Sequence, residues 1–282
     1  MNHSKVTVVT PSLNQGKYIE RTILSVLSQD YQNLEYIVVD GGSSDDTLTI
    51  LKRYNDRLRW ISEPDSGQSE AINKGWKMAS GEILAYLNSD DTYKPGAVSY
   101  AATYLSEDPE LLMVYSDVDL VDEADRLIRF LPGEEWDLKR LISDPIYFIP
   151  QQGVFFRARV LDTIGFLDES LHFKMDRDFY IRIGMHGGVK RMPCCLANGR
   201  IHSEAKQHPR NAADIWRESV LLRRRYGARV SWRSYLQHYL SLGKQRYLID
   251  PCMKVPVARR LIGSLRARNI RKELQESREV TR

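Results

Sequence analysis

Short apolar runs alternate with longer amphipathic segments over the first 95 residues of the chain. The apolar runs are rich in β-branched residues, which is typical of buried strands, and the segments between them carry apolar residues at helical spacing. The predicted strands are residues 5–10, 34–40, 58–63 and 82–87. The predicted helices are residues 16–29, 46–54 and 67–79. This βαβαβαβ order predicts the α/β class, with a mainly parallel central sheet and the helices as crossovers.

Each of these predicted strands ends in a polar loop. The four loops are TPSLNQG (10–16), DGGSSDD (40–46), EPDSGQ (63–68) and NSDD (88–91). Parallel strands present their carboxyl ends at one edge of a sheet, and ligands of such sheets bind outside that edge. The loops are therefore expected to meet there, and the sequence predicts an active site at this edge.

After Pro95 the pattern changes to a smaller mixed region. The predicted strands are residues 111–122, 126–131, 151–156, 189–192 and 196–202. The predicted helices are residues 136–142, 157–165 and 176–188, followed by 216–227 and 258–275. We therefore divide the chain into a main domain, residues 1–204, with helices flanking its sheet, and a basic helical C-terminal extension, residues 205–282.

The composition of the 282 residues, 42% hydrophobic and 28% charged, is that of an ordinary globular protein. No apolar run reaches the ~18 residues that a membrane span requires, and the start shows no signal-peptide pattern. The three cysteines, of which Cys194 and Cys195 are adjacent, form neither a disulfide framework nor a zinc-binding spacing. We expect reduced cysteines and a cytoplasmic protein.

The net charge of +4 conceals an asymmetry between the two parts of the chain. Residues 205–282 contain 19 Lys and Arg against 6 Asp and Glu, a net charge of +13, so residues 1–204 carry a net charge of −9. Segment 258–275 predicts a basic amphipathic helix, which suits an anionic membrane surface at the inner face of the cytoplasmic membrane. The alternative is an arm that packs on the domain or on a second copy in a homo-oligomer. Nucleic acid is not expected, because no binding motif for it accompanies the charge.

Two of the polar loops carry carboxylates with more than one interpretation. Asp40 precedes Gly41 and Gly42. It either stabilises a tight turn before the next helix or accepts hydrogen bonds from a nucleotide that the glycines allow to approach closely. Asp90 and Asp91 are adjacent, and two charges about 4 Å apart repel by roughly 4 kcal/mol at an effective dielectric of about 20. Either this pair lies in a solvated turn, or a divalent cation, Mg²⁺ or Mn²⁺, bridges it to a diphosphate.

Asp176 and Asp178 begin a predicted amphipathic helix. Acidic residues in a first turn complement the helix dipole, and this interpretation suits Asp178. Asp176 could instead act as a general base if its carboxylate reaches the same cleft. Gln151 and Gln152, which open a predicted strand, could either meet an acceptor or satisfy a buried network of hydrogen bonds.

Four stretches occur together in a characteristic order: TPSLNQGKYIERTILSVLSQDY, IVVDGGSSDDT, PDSGQSEAINKGWKMASGEILAYLNSDD and MDRDFYIRI. Their combination resembles the family 2 glycosyltransferases with a GT-A fold, of the type that assembles bacterial polysaccharide and lipopolysaccharide. The resemblance covers roughly residues 5–204. It implies a GT-A fold, transfer of a sugar from a nucleotide sugar, and a divalent metal, Mn²⁺ or Mg²⁺, as cofactor.

The resemblance also implies roles for particular residues. The residues implied to bind the nucleotide sugar are Pro11, Ser12, Leu13, Asp40, Gly42, Asp65, Gln68, Lys74 and Asp90. The implied metal ligands are Asp90, Asp91 and His202, and the implied catalytic base is Asp176. Gln152 and Asp178 are implied to lie on the acceptor side. The chain departs from the family pattern at Leu13, where many relatives have an aromatic residue, and at Asn88, where relatives often have aspartate. For His202, a surface or core position is the alternative.

These features predict an inverting, metal-dependent glycosyltransferase that moves a sugar from a nucleotide sugar, with a UDP-sugar favoured, to a hydroxyl of a glycan or lipid-linked acceptor. A sugar-phosphate nucleotidyltransferase is one alternative. It would need a phosphate loop rich in Gly and Arg, which the loop after the first strand does not resemble. The other alternative is a catalytically silent binding or scaffold subunit. Leu13 and Asn88 leave it open, whereas Asp90, Asp91 and Asp176 oppose it.

Overall fold

The computed structural model describes residues 4–145, 147–206 and 209–229. The strands are β1 (Val6–Ser12), β2 (Leu34–Asp40), β3 (Arg59–Ser62), β4 (Ile83–Tyr86), β5 (Thr92–Tyr93), β6 (Leu111–Val121), β7 (Leu127–Leu131), β8 (Val154–Arg157) and β9 (Gly188–Arg200). The α-helices are α1 (Ile19–Leu27), α2 (Thr47–Lys52), α3 (Gln68–Met78), α4 (Ala97–Glu107), α5 (Leu138–Ser143), α6 (Val160–Ile164), α7 (Met175–Gly184) and α8 (Ala212–Arg225). Two short 3-10 helices are Gln151–Gly153 and Pro209–Asn211.

The nine strands of the described residues form one sheet, in the order β3-β2-β1-β4-β8-β6-β9-β5, with β7 paired to β6. β1 pairs in parallel with β2 and β4, and β2 pairs in parallel with β3. These four strands and their connecting helices confirm the predicted parallel arrangement. β8 runs antiparallel to both β4 and β6 and joins the two parts of the sheet. β6 and β9 are again parallel, so the second part is the mixed region that the sequence predicts.

Strand β1 is covered on both faces, which explains its nearly continuous apolar sequence. Successive side chains of a strand point to opposite faces, and the fully buried Val8 and Val9 accordingly belong to two separate hydrophobic clusters. Val8 shares its cluster with Ile23 of α1. Val9 shares the other with Ile72 and Trp76 of α3. The sheet is therefore the middle layer between two layers of helices, and its loops are left to form the site.

The sequence pattern does not predict α4. Its buried positions include Ala97, Ala101 and Ala102, and such small side chains give a weak apolar signal. The helix is nevertheless part of the core, because Val98 and Leu105 are fully buried in the same cluster as β1. Burial against the sheet, rather than a strong helical pattern, stabilises this element.

The late strands predicted at 189–192 and 196–202 form one strand, β9. A register shift against β6 falls between Met192 and Cys195, where Pro193 stands outside the regular pairing. Proline has no N–H to donate to the ladder and is confined to such irregular positions in a sheet. The proline that separates the two predicted strands is thus accommodated within a single long strand.

The helix predicted at 216–227 is confirmed as α8, which begins four residues earlier. The helix predicted at 258–275 lies outside the described residues, and the boundary between main domain and extension stays a prediction. None of the helices within the described part of the chain is both long enough and apolar enough to span a membrane.

Candidate active site

The register of the parallel strands places three polar loops at the same level. Ser12 at the end of β1 pairs with Asp40 at the end of β2, and Asp40 pairs with Ser62 at the end of β3. Pro11 is buried within β1. β4 lies on the other side of β1 and leads into the NSDD segment. The predicted meeting of polar strand ends at one edge is confirmed.

Asp40 is fully buried, and its carboxylate is hydrogen-bonded within its own loop and to the end of β3. Oδ2 accepts hydrogen bonds from the N–H groups of Gly42 (3.1 Å) and Ser43 (2.9 Å) and from Ser62 Oγ (2.7 Å), while Oδ1 accepts one from Ser43 Oγ (2.5 Å). Gly42 has a φ of 85°, a left-handed conformation that glycine adopts without strain. The turn interpretation of Asp40 is therefore confirmed, and its contact with a nucleotide stays a prediction.

Asp65 lies against the same turn. A Cβ atom on Gly41 would fall 2.6 Å from Asp65 Oδ2, so the two loops approach too closely for a side chain. Asp65 Oδ1 accepts a hydrogen bond from the N–H of Gly67 at 2.9 Å, and burial raises the pKa of its carboxyl. At the neighbouring strand end, Ser12 Oγ is buried without a partner among the described residues, whereas Leu13 is 53% exposed. This edge offers a ligand one unused hydroxyl and one apolar side chain.

Lys74 and Gln68, both on α3, have different partners. Lys74 Nζ lies 2.9 Å from carboxylate oxygens of both Glu63 and Glu70, and its hydrogen bond to Glu70 is the main cause that raises its pKa. Its charge is thus already balanced within the chain. Gln68 Nε2 donates to Asn88 Oδ1 at 2.5 Å, which joins α3 to the NSDD segment.

Asp91 is buried and enclosed by hydrogen-bond donors. Its Oδ1 accepts from the N–H of Arg200 at 2.9 Å, and its Oδ2 accepts from the side-chain amides of Gln152 at 3.0 Å and Asn88 at 3.3 Å. Burial, and then the charge of Asp90, raise the pKa of Asp91 well above its ordinary value. The residue anchors the NSDD segment to β9 and to the turn before β8.

Asp90 is the accessible member of the pair. Its side chain is 21% exposed, and its Oδ2 lies 2.9 Å from His202 Nε2. His202 is itself buried, with its ring centroid 4.8 Å from that of Tyr18. Arg200 Nε donates to the Asp90 carbonyl oxygen at 2.8 Å and fixes the main chain beneath the carboxylate. Sequence reasoning missed Arg200, although its position two residues before His202 could have suggested it.

Asp90 and His202 form the part of the site that could hold a divalent metal. Within the described part of the chain, no group of three or more His, Cys, Asp and Glu side chains is placed to hold an ion. Mg²⁺ commonly binds through only one or two carboxylates and completes its coordination with substrate phosphates and water. The Asp90 carboxylate and the His202 imidazole fit a metal whose remaining ligands come from a diphosphate. The oxygens of Asp91, in contrast, already accept hydrogen bonds from three groups of the protein.

Gln151 and Gln152, the two glutamines before β8, form hydrogen bonds with the NSDD segment. Gln151 Nε2 donates to the Tyr86 carbonyl oxygen at 2.7 Å, and Gln151 Oε1 accepts from Asn88 Nδ2 at 3.2 Å. Gln152 donates to Asp91. Their interpretation as members of a hydrogen-bond network is confirmed, and contact of Gln152 with an acceptor stays a prediction.

Asp176 is half-buried in the first turn of α7. Its Oδ1 accepts a hydrogen bond from the N–H of Arg177 at 2.7 Å. Burial raises the pKa of Tyr86 well above its ordinary value, and the charge of Asp176 adds to this rise. Because Tyr86 ends β4, two residues before the NSDD segment, the Asp176 carboxylate approaches the same edge of the sheet.

Asp178 has a structural environment. Its side chain is 1% exposed, and its carboxylate accepts hydrogen bonds from Arg182 Nε at 2.8 Å, Arg225 Nη1 at 2.9 Å and Tyr226 Oη at 2.8 Å. Arg182 lies on α7 itself, whereas Arg225 ends α8 and Tyr226 follows it. Asp178 therefore joins the helix of Asp176 to the end of α8.

Glu218 on α8 holds the segment that precedes α7. Its carboxylate accepts hydrogen bonds from three consecutive N–H groups, those of His172 (2.8 Å), Phe173 (2.7 Å) and Lys174 (2.9 Å). Sequence reasoning missed this residue, whose signal is an acidic side chain in a mainly basic helix. The three bonds fix the start of α7 and with it the position of Asp176.

Comparison with known sequences places the chain among glycosyltransferases. The family model "Glycosyl transferase family 2" matches residues 7–165. The chain is 29% identical over 202 residues to the chondroitin synthase of Escherichia coli, an alignment that covers 71% of this chain and 29% of that protein. The chain spans between 29% and 64% of the length of this protein and of four uncharacterised glycosyltransferases from Rickettsia species.

Solved structures share the fold. TarS of S. aureus, in complex with UDP-GlcNAc, matches with a TM-score of 0.61 at 20% identity, over 77% of this chain and 66% of that one. The mannosyltransferase PcManGT from Pyrobaculum calidifontis, in complex with GDP-Man and Mn²⁺, matches with a TM-score of 0.60 at 19% identity, over 88% and 70%. The predicted GT-A fold is confirmed. Because the family match covers more than half of its residues, the chain belongs to glycosyl transferase family 2.

Proposed function

We propose that this chain is an inverting, metal-dependent glycosyltransferase that moves a sugar from a nucleotide sugar to a hydroxyl group of a glycan or a lipid-linked acceptor. The observation that carries the proposal is the 2.9 Å approach of Asp90 and His202 beyond the end of β4, on the edge that the polar loops share. Asp176 approaches this edge from α7. A UDP-sugar is the favoured donor, in line with the UDP-GlcNAc complex of TarS.

The nucleotide would lie over the ends of β1 and β2. Pro11, Ser12 and Leu13 would contact the base and ribose, and the unused hydroxyl of Ser12 is available to them. Asp40 shapes the turn at Gly42 and would contact the ribose from beneath. The loop that carries Asp65 and Gln68 would flank the diphosphate.

Asp90 and His202 would hold the divalent metal, Mn²⁺ or Mg²⁺, while the buried Asp91 keeps their segment in place. A metal bound there neutralises the charge that develops on the leaving diphosphate. The Mn²⁺ complex of PcManGT supports this choice of ion. Lys74 would flank the diphosphate from α3, where ion pairs with Glu63 and Glu70 hold its ammonium group.

Asp176 would take the proton of the acceptor hydroxyl while that oxygen attacks the anomeric carbon. The attack comes from the face opposite the leaving diphosphate, so the configuration inverts and no covalent enzyme intermediate is needed. Asp178 would act on this side only by positioning α7. Gln152 Oε1 has no partner among the described residues, so it could accept a hydrogen bond from the acceptor while Nε2 stays on Asp91.

The charge of the chain suggests where it acts. The net charge of +13 over residues 205–282 would bring the enzyme to an anionic membrane at its cytoplasmic face, where lipid-linked acceptors are found. Flotation with vesicles tests this proposal: binding to vesicles that contain phosphatidylglycerol, but not to neutral ones, is the expected result. Absence of binding to either would favour an arm that packs on the domain or on a second copy.

The donor site is tested by thermal unfolding of the wild type, Asp90→Asn and Asp176→Asn with UDP, GDP or dTDP, with and without Mn²⁺. At a hundredfold excess of nucleotide over its dissociation constant, mass action stabilises the protein by about 2.7 kcal/mol. We expect this shift, in the presence of Mn²⁺, for the wild type and Asp176→Asn and its absence for Asp90→Asn. If no nucleotide shifts the wild type, the proposal is wrong.

Product analysis separates the alternatives. Release of a nucleoside diphosphate from a sugar nucleotide would support transfer, and release of inorganic diphosphate would indicate a nucleotidyltransferase. Nucleotide binding without any turnover, in wild type and Asp176→Asn alike, would indicate a silent binding or scaffold subunit.

A further inference from the structure

Lys206 stands at the junction of the donor edge and α7. Its Nζ donates to Gln68 Oε1 at 2.7 Å, and Gln68 in turn donates to Asn88 of the NSDD segment. On its other side, Lys206 Nζ lies 5.8 Å from the centre of the Phe173 ring, two residues before α7. The ammonium group therefore lies between the NSDD segment and the helix that carries Asp176.

The charge of Lys206 has no counter-ion in contact with it among the described residues, where its one hydrogen-bond partner is the neutral amide of Gln68. Burial lowers the pKa of Lys206, whereas the more distant charges of Asp176 and Glu218 oppose this shift. Lys74 is the opposite case, since it has two glutamate partners at 2.9 Å. An ammonium group that is partly withdrawn from water and has no counter-ion is unfavourable, and an anion beside it would relieve that cost.

We propose that Lys206 binds the β-phosphate of the nucleotide-sugar donor, the phosphate that carries the sugar. The inference rests on the proposed function. Gln68 and Asn88 place the ammonium at the donor edge, and the charge of Asp176 reaches it from the side of the acceptor. The bond between sugar and β-phosphate breaks between these two sides. A fixed positive charge there stabilises the negative charge that the β-phosphate gains as the sugar leaves.

The test measures nucleotide affinity by isothermal titration calorimetry in the presence of Mn²⁺. The proteins are the wild type, Lys206→Met, Lys206→Arg and, as a matched control, Lys77→Met, since Lys77 is an exposed lysine of α3 whose Nζ also lies over a phenylalanine ring, that of Phe166, at 5.4 Å. The probes are UDP and GDP, together with UMP and GMP, which lack the β-phosphate.

We expect Lys206→Met to bind the preferred diphosphate about 10-fold to 100-fold more weakly than the wild type, because a charge-assisted hydrogen bond is lost. Its affinity for the monophosphate should be unchanged. Lys206→Arg should recover most of the diphosphate affinity. Lys77→Met should stay within about twofold of the wild type, since it removes an exposed charge away from the polar strand ends.

Equal losses of affinity for diphosphate and monophosphate in Lys206→Met would overturn the inference, because they would show that Lys206 only orders Gln68 and the start of α7. Unchanged affinity for the diphosphate would overturn it as well, while leaving the proposed function in place. If the wild type binds neither UDP nor GDP with Mn²⁺, the proposed function itself fails for these donors, and the inference fails with it.

Discussion

His202 Nε2 lies 2.9 Å from Asp90 Oδ2, whereas the carboxylate of the adjacent Asp91 is enclosed by the main chain of Arg200 and the amides of Gln152 and Asn88. Two acids that are neighbours in sequence therefore have different surroundings. Hydrogen-bond donors surround Asp91, and burial together with the charge of Asp90 raises its pKa. Asp90 instead lies beside the imidazole of His202. One carboxylate is left available to a ligand, and the other holds the segment in place.

Asp90→Asn should affect nucleotide binding, whereas Asp91→Asn should affect stability. Asp90→Asn removes a proposed metal ligand at a partly exposed site, so we expect loss of Mn²⁺-dependent nucleotide binding and a change in unfolding free energy within about 0.5 kcal/mol. Asp91→Asn sets an NH₂ group against the donors of Arg200 or Gln152, so the free energy of unfolding should fall by about 1–3 kcal/mol. Urea denaturation and nucleotide titration measure the two effects. Equal losses of stability would contradict this division of roles.

For the two aspartates of α7, Asp176→Asn should affect turnover, whereas Asp178→Asn should affect stability. Asp176→Asn should lower turnover by at least about 100-fold, the usual contribution of a general base, with donor affinity kept. Asp178→Asn breaks a buried carboxylate's bonds to Arg182, Arg225 and Tyr226, so the free energy of unfolding should fall by about 2–4 kcal/mol. Initial rates and denaturation curves of both variants test this. A stable, fully active Asp178→Asn would refute the structural role.

Glu218→Gln should reduce turnover through its effect on the position of Asp176. The amide can accept fewer and weaker bonds from the three N–H groups before α7, so Asp176 should lose its fixed position. We expect kcat to fall by about 10-fold to 100-fold while the affinity for the nucleoside monophosphate, which lacks the phosphate proposed to contact Lys206, stays unchanged.

Asp214→Asn is the matched control for Glu218→Gln, since Asp214 lies on the same helix but is exposed, and its one ion-pair partner in the described part of the chain is Arg217 at the surface. This variant should keep wild-type turnover. A fall in monophosphate affinity that accompanies the fall in kcat in Glu218→Gln would show that α8 supports the whole domain rather than the position of Asp176.

The parallel half of the fold could be predicted because its strands are apolar throughout and each ends in a polar loop. Val8 and Val9 face two different clusters, and such two-sided burial leaves a strong signal in sequence. Helix α4 could not be predicted in this way, because alanines form much of its buried face. The single strand β9 was also missed, since Pro193 resembles a strand boundary until the register shift against β6 is known.

The meeting of the polar loops at one edge could be predicted from the sequence, but the different surroundings of the two adjacent carboxylates could not. Asp90 and Asp91 are equivalent in sequence, and only the arrival of Arg200 and His202 from β9 distinguishes them. These two contacts join residues more than a hundred positions apart, so local sequence gives no sign of them. Lys74, to which the family resemblance points, forms a local ion pair with Glu70 one turn earlier on α3, and its contact with the donor stays a prediction.

A final prediction concerns stability at the opposite end of the sheet. Glu35 at the start of β2 accepts hydrogen bonds from Thr7 Oγ1 (2.6 Å) and from the N–H (2.8 Å) and hydroxyl (3.0 Å) of Ser80. Burial raises the pKa of Glu35, but these bonds and the charge of Lys5 outweigh burial and lower the pKa from 4.5 to about 2. The ionised form is therefore favoured by folding. Its contribution to stability is complete above about pH 4.5 and is lost as the pH falls towards 2.

Glu35→Gln should consequently lower the free energy of unfolding by about 1–3 kcal/mol at pH 7, and the difference from the wild type should narrow steadily between pH 4.5 and pH 3. Urea denaturation across this range measures the difference. Asp56→Asn, at an exposed turn, is the control and should match the wild type at every pH. A difference for Glu35→Gln that does not change with pH would mean that its cost comes from altered shape in the β1–β2 contact, and that the lowered pKa plays no part.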